Sequence, residues 1–220
     1  MEYEVFGFKG IKLFISEEHR FGTDSLLLGE FAAGSKRMTV VDLCSGCGIV
    51  PVLLSGNSKN TPKKIYAVEI QSQAADLIRQ TVHENNLGSF IEVIEGDLRE
   101  KETLEPIGRE RIDLVTANPP YYPKQSGFER GSNAQKTARY ERDCTITDVV
   151  KAAEFLLKFG GELKMCMIAP RLAECIGIMR EHSIEPKEIV LIPSKKTKTA
   201  RLFLISGKKN GKAGVRITWK

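Results

Sequence analysis

From Thr39 onward the chain alternates short apolar, β-branched runs with longer stretches of helical periodicity. That alternation is the signature of βαβ units on a mostly parallel sheet. Seven runs are predicted as strands: Thr39–Leu43, Lys64–Glu69, Ile91–Glu95, Ile112–Ala117, Gly161–Ile168, Glu188–Ile192 and Ala200–Ser206. The segments Ile49–Ser55, Gln71–Asn86, Thr147–Phe159 and Arg171–His182 are predicted as helices. Ala74, Leu77, Ile78, Thr81 and Val82 give Gln71–Asn86 an apolar stripe, and Asn86-Leu87-Gly88 supplies a stop signal, so this helix should cover one face of the sheet. The segment Pro193–Thr199 is too short for a crossover helix, and the last two strands should therefore pair antiparallel. The expected fold is α/β: a seven-stranded, mostly parallel sheet with one antiparallel edge strand and helices on both faces.

A chain of 220 residues and 24.5 kDa is long enough for one domain and too short for two ordinary ones. We divide it into an N-terminal segment 1–38, a core 39–206 and a basic tail 207–220. The apolar share of 41% and charged share of 28% exclude a disordered tail or a repeat array. No apolar run reaches the roughly eighteen residues of a membrane span. Met1-Glu2-Tyr3-Glu4 lacks the basic and apolar regions of a signal peptide, which predicts a cytoplasmic protein with no membrane partner. The five cysteines (Cys44, Cys47, Cys144, Cys166, Cys175) are odd in number and thinly spread, so thiols are expected rather than a disulfide framework.

Charge is distributed unevenly. Residues 1–110 hold 12 Lys and Arg against 17 Asp and Glu, a balance of −5, whereas residues 111–220 hold 21 against 11, a balance of +10. Between Pro193 and Lys220 there are nine basic residues and no acidic one, a run that suits phosphate contact or, more blandly, serves solubility. The stretch from Tyr121 to about Cys144 has no clear periodicity and is rich in Gly, Ser, Asn, Gln and basic residues. Loops of that length inside a domain are usually functional or disordered, and the position after a strand favours function.

The chemistry-bearing residues fall at strand ends. Asp42-Leu43-Cys44-Ser45-Gly46-Cys47-Gly48 leaves the first core strand and enters a helix. Its glycines allow a tight turn and a close backbone approach to a ligand, in the crevice where doubly wound sheets bind nucleotides. Glu69 ends the second strand, where a carboxylate can accept from both ribose hydroxyls, and Asp97 follows the third, where it can meet an adenine amino group. Each alone reads as an ordinary turn or capping residue; together they are a less accidental set. Asn118-Pro119-Pro120-Tyr121 follows the fourth strand. The two prolines end the strand and fix neighbouring carbonyls. The Asn118 oxygen and the Pro119 carbonyl could then accept from one planar NH2 group, with Tyr121 as a stacking face. A conjugated amine is a poor nucleophile, and two acceptors on its hydrogens turn its lone pair out of the ring plane toward an electrophilic methyl group. The bland alternative is a turn with an exposed tyrosine. Cys44-x-x-Cys47 lacks a second Cys/His pair, so no metal site is expected, and redox chemistry stays a minor reading. His19, His83 and His182 are dispersed and receive no catalytic role.

In this order and spacing, these residues resemble the class I S-adenosylmethionine-dependent methyltransferases that modify planar amines, with a Rossmann-like fold. Within that class, Arg20-Phe21-Gly22-Thr23-Asp24-Ser25-Leu26-Leu27-Leu28 and Ala138-Arg139-Tyr140-Glu141 are similar to the bacterial tRNA1(Val) adenine-37 N6-methyltransferases. The resemblance implies S-adenosylmethionine as cofactor, with Gly46 and Gly48 beside its methionine part, Glu69 on its ribose and Asp97 on its adenine. Gly22, Thr23 and Asp24 would close over it, with Asp42, Cys44, Ile70, Leu98 and Asn118 completing the cofactor site. The segment 1–38 would thus be a cofactor cover. Asn118, Pro119, Pro120 and Tyr121 would hold the target adenine. Tyr122, Lys124, Arg139, Lys195, Lys196, Lys198 and Arg201 would grip RNA, a tRNA anticodon loop being the expected partner. Many class I enzymes carry glycine where Cys44 stands, so the loop is expected to sit slightly differently.

Two other functions share these features. Asn-Pro-Pro-Tyr also serves enzymes that methylate a glutamine amide in release factors, but those carry an extra N-terminal helical domain, and only 38 residues precede the first core strand here. A DNA adenine methyltransferase usually needs a target-recognition insert for which this chain has little room. A non-catalytic nucleic-acid-binding protein would need only the basic segment.

Overall fold

The computed structural model describes residues 3–8, 10–33, 37–56, 61–121, 144–194 and 197–220. A hairpin of β1 (Glu4–Phe8) and β2 (Ile11–Ile15) and a helix α1 (Thr23–Phe31) precede the core. The core runs β3 (Thr39–Leu43), α2 (Ile49–Ser55), β4 (Lys64–Glu69), α3 (Ser72–Glu84), β5 (Ile91–Glu95), α4 (Lys101–Leu104) and β6 (Ile112–Ala117). After the described residues resume come α5 (Ile146–Leu156), β7 (Leu157–Ile168), a 3-10 turn (Ala169–Arg171), α6 (Leu172–Glu181), β8 (Ile184–Pro193), β9 (Ala200–Lys209) and β10 (Arg216–Trp219). Bounds of β3, β4, β5, β6 and α2 coincide residue for residue with the sequence expectation.

The main sheet has eight strands in the order β10-β8-β9-β7-β6-β3-β4-β5, and β3 sits at the switch point, with β4 on one side and β6 on the other, all parallel. Apolar residues line both faces because both are covered. Val40 faces a core shared with α1, α2, α3 and β2, while Val41 and Leu43 face a second core shared with α5 and α6. The same alternation recurs on β9, where Leu202 and Leu204 join the first core and Phe203 and Ile205 the second.

Two features differ from the expectation. The sheet has eight strands rather than seven, because Arg216–Trp219 pairs parallel to β8 and the expected tail 207–220 is built into the sheet from Gly207 to Lys209 and again at β10. The expected antiparallel hairpin is present, but its inverted strand is β9, which lies between β7 and β8 rather than at the edge. The reason is that α6 carries the chain across to β8 in the same sense as earlier units, leaving a gap that the short connection then fills with β9.

The boundaries of α5 also shifted. Its start is fixed one residue earlier than expected by a capping box in which Asp148 N donates to Thr145 Oγ1 (3.2 Å) and Thr145 N donates to Asp148 Oδ2 (2.9 Å). Its end is fixed at Leu156 by Lys209, a buried ammonium group that donates to the carbonyls of Glu154 (2.7 Å) and Leu157 (2.9 Å) and to Glu110 Oε1 (3.0 Å). Among the described residues, no helix is long and apolar enough to cross a membrane. Replacing Lys209 with Met removes its donors to the buried Leu157 carbonyl and the partly buried Glu154 carbonyl, and should cost about 1–3 kcal/mol. The urea midpoint is expected to fall with an unchanged slope; an unchanged midpoint would contradict the capping role.

Candidate active site at the strand ends

The carboxyl ends of β3, β4, β5 and β6 open into one cavity of about 660 Å³, closed from the other side by Phe21, Gly22, Asp24 and Ser25 at the start of α1. Sites for small molecules occupy roughly 300–1,000 Å³. The loop after β3 reaches it through three left-handed residues, Cys44 (φ 57°), Gly46 (φ 55°) and Gly48 (φ 83°). Cys44 therefore keeps, at some backbone cost, the conformation that glycine takes more easily. A Cβ on Gly46 would meet no protein atom within 4 Å, which leaves a backbone cradle at the cavity wall. A Cβ on Gly48 would come within 3.1 Å of Ile78 Cγ1 and Cγ2, so this glycine serves helix packing and caps α2 instead.

Glu69 fastens the loop. Gly46 N donates to its Oε2 (2.7 Å) and Gln71 N to its Oε1 (2.9 Å), and the side chain is buried. Burial raises its pKa, and the backbone donors oppose that rise. Asp42 is buried as well and accepts from Thr116 Oγ1 at 2.5 Å, across the β3–β6 pairing that sets the two residues side by side. Desolvation pushes its pKa up to about 7 against the hydrogen bonds from Thr116 and Ser45. Asp97 behaves oppositely: Arg99 donates to both its oxygens (2.9 Å to Oδ1, 2.5 Å to Oδ2), and this pairing holds its pKa below the usual carboxylate range.

At the end of β6 the Asn118-Pro119-Pro120-Tyr121 segment is fixed from two sides. Asn118 Nδ2 donates to Ser25 Oγ (2.9 Å), and the Tyr121 hydroxyl, with one proton, sits between Asp24 Oδ2 (2.5 Å) and Asn118 Oδ1 (2.6 Å). The Tyr121 carbonyl accepts from Arg171 Nη1 (3.3 Å), whose other nitrogens are held by Glu174 at 2.6 and 2.8 Å. The Tyr121 ring packs against both hydrophobic cores, turned inward by the two acceptors its hydroxyl finds. Burial raises the pKa of its phenol.

Of the residues singled out in the sequence, Gly22, Asp24, Asp42, Cys44, Gly46, Glu69, Ile70, Asp97, Leu98, Asn118, Pro119, Pro120 and Tyr121 line this one cavity. Thr23 and Gly48 are not in its wall. Lys198 and Arg201 are exposed and outside the wall, at the same end of the sheet. Tyr122, Lys124, Arg139, Lys195 and Lys196 lie outside the described residues. Sequence reasoning missed Ser25, Thr116, Arg99 and Arg171. Thr116 could have been found from the register that pairs it with Asp42; Arg171 carries no local signal.

A doubly wound sheet with a glycine turn, an acidic residue at the next strand end and an Asn-Pro-Pro-Tyr corner beyond the switch point defines a methyltransferase-like nucleotide site. The match to the family model of the methyltransferase small domain covers residues 13–182, and the chain belongs to that family. It is 30% identical over 137 residues to the tRNA1(Val) (adenine(37)-N6)-methyltransferase of Cronobacter sakazakii, covering 61% of this chain and 54% of that protein. The Histophilus somni (strain 2336) protein of the same name is 31% identical over 152 residues, covering 67% and 60%. The matches thus span little more than half the length of these relatives. Among solved structures, a predicted O-methyltransferase from Agrobacterium tumefaciens superposes with a TM-score of 0.69 at 21% identity, over 89% of this chain and 85% of that one. The M. jannaschii tRNA m1G37 methyltransferase superposes with a TM-score of 0.65 at 18% identity, over 96% and 55%.

Asp42 gives a pH test. Because its folded pKa of about 7 lies above the ordinary carboxylate value of about 3.9, the folded state keeps a proton that the unfolded state releases, and stability falls as pH rises through that window. Asp42→Asn keeps the acceptor for Thr116 and removes the charge. Its melting temperature should exceed that of the parent most at pH 8 and converge with it near pH 4; a pH-independent difference would contradict the assignment.

Proposed function

We propose that the protein transfers the methyl group of S-adenosylmethionine to the exocyclic N6 amine of an adenine in RNA, adenosine 37 of a tRNA being the target. The observation that carries this reading is the meeting of Asn118 and Pro119 with Gly46 and Glu69 in one cavity. The residues present fit the cofactor. Glu69 borders the cavity with its oxygens held by the Gly46 and Gln71 amides, where a carboxylate can also accept from ribose hydroxyls, and the Gly46 cradle leaves room for the methionine part. Asp97 and Leu98 would border the adenine, and residues 1–38 would cover the whole from the α1 side. When bound, the cofactor supplies an electrophilic methyl group.

The chain's own residues then do the positioning. The target amine takes the place of the Tyr121 hydroxyl at Asn118 Oδ1 and donates its second hydrogen to the Pro119 carbonyl. Tyr121, released from Asn118, offers its ring to the base. Ser25 and Arg171 keep the corner fixed while this exchange occurs. Preorganised acceptors supply the catalysis, and no strong base is needed before transfer.

The curated relatives are tRNA-modifying enzymes by name, and the basic character of residues 193–220 suits a polyanion. Pro193 and Ala200, the paired ends of β8 and β9, lie at the cavity end of the sheet, because β8 runs in the sense of β3 to β7. An unpaired anticodon-loop base costs least to extrude into a pocket. A cytoplasmic location goes with such a substrate.

The test is methylation of bulk tRNA from cells lacking the modification, followed by nucleoside analysis. N6-methyladenosine is expected, with a rate that falls steeply between about 50 and 200 mM salt. Asn118→Ala should lower turnover at least about 100-fold, while S-adenosylhomocysteine still raises its melting temperature. A different methylated nucleoside, or full turnover in the variant, would overturn the reading.

A further inference from the structure

Three of the five cysteines, Cys47, Cys166 and Cys175, are buried. Burial pushes their thiols up to about 12, and the Cys44 thiol is raised as well, first by its contact with Cys144 and then by burial, so the pair is singled out by its geometry. The other two, Cys44 and Cys144, are partly exposed and both stand in the wall of the cavity. They come from places 100 residues apart, yet Cys44 Sγ donates to Cys144 Sγ at 4.0 Å. The sequence neighbour Cys47 is not the partner: it packs into the core of α1, α2 and α3, whereas Cys44 packs against the opposite core. Neither thiol is used by the proposed reaction.

We propose that Cys44 and Cys144 are a modification site, joined into a reversible disulfide by a hydroperoxide. A sulfur–sulfur bond measures about 2.05 Å, so the two sulfurs need to approach by about 2 Å. Both ends can take part: Cys44 lies in the turn between Asp42 and Gly46, and Cys144 directly precedes the Thr145 cap of α5.

The chemistry balances with one equivalent of peroxide. Cys144, whose developing negative charge the Cys44 S–H group faces, attacks one peroxide oxygen, the O–O bond breaks, and a sulfenic acid and water (or an alcohol) form. The Cys44 sulfur then displaces the hydroxyl group as water, its own proton leaving with it. Two thiols are oxidised, the peroxide is reduced, and a dithiol such as dithiothreitol reverses the change.

The consequence lies in what Cys44 is attached to. Two residues on, Gly46 donates to Glu69, the contact that fastens the turn to β4. Tying Cys44 to the start of α5 pulls this turn toward the other wall and narrows the cavity between them. On the cofactor reading above, oxidation should weaken binding of S-adenosylhomocysteine at least tenfold.

The experiment treats the full chain with hydrogen peroxide, blocks free thiols with N-ethylmaleimide, and maps peptides without reduction. The expected result is a cross-linked pair of peptides holding Cys44 and Cys144, which disappears with dithiothreitol. A Cys44–Cys47 link, or only overoxidised single thiols, would overturn the proposal. Calorimetry with S-adenosylhomocysteine adds a second readout, each protein compared with its own untreated form: peroxide should weaken binding at least tenfold in the parent and leave the affinity of Cys144→Ser as it was before treatment. Equal loss in both proteins would sink the switch. If the reduced parent fails to bind at all, the cofactor reading fails, while the peptide map still decides the pair.

Discussion

The site is organised by one buried carboxylate. Glu69 accepts the Gly46 and Gln71 amides, and in doing so joins the turn after β3 to the turn after β4 across the switch point of the sheet. That double acceptance joins the bonds from Ser45 N to the Val68 carbonyl (3.1 Å) and from Ser45 Oγ to the Asp42 carbonyl (2.9 Å) in holding a turn with three left-handed residues. Burying a carboxylate is costly unless its oxygens are hydrogen-bonded; here the Gly46 and Gln71 amides oppose a desolvation that still prevails and raises the Glu69 pKa.

The second constraint is the way the corner after β6 is held. Asn118 binds α1 through Ser25, and Tyr121 binds α1 through Asp24 and the 3-10 turn before α6 through Arg171. Elements from both faces of the sheet therefore meet at one residue pair. The resting arrangement also engages the acceptor that the proposed substrate would use, since the Tyr121 hydroxyl lies 2.6 Å from Asn118 Oδ1. Replacing one hydrogen bond by another at that oxygen makes substrate entry an exchange rather than the creation of a new polar site, and such exchanges have modest net energies.

Much of this was legible in the sequence. Strands buried on both faces announce themselves as β-branched runs, and β3 to β6 were placed to the residue for that reason. The motif residues at their ends could be assigned to one cavity because a doubly wound sheet brings successive strand ends together. What was not legible is non-local. Lys209 ends a helix through a carbonyl 52 residues earlier, and Arg171 steadies a carbonyl 50 residues away. The position of β9 depends on where α6 delivers β8, which no local pattern encodes. The short strand β10 has only four residues and alternates Arg216, Ile217, Thr218 and Trp219, too brief a signal to separate from a basic tail.

The central claim is that the cavity at the ends of β3 to β6 is where a methyl donor and an amine meet. Its most direct test is a crystal structure with S-adenosylhomocysteine. We predict ligand density in this cavity, with the ribose hydroxyls on Glu69 and the sulfur facing the Asn118 side chain. Ligand bound elsewhere, or an Asn118 side chain directed away from the sulfur, would contradict the account.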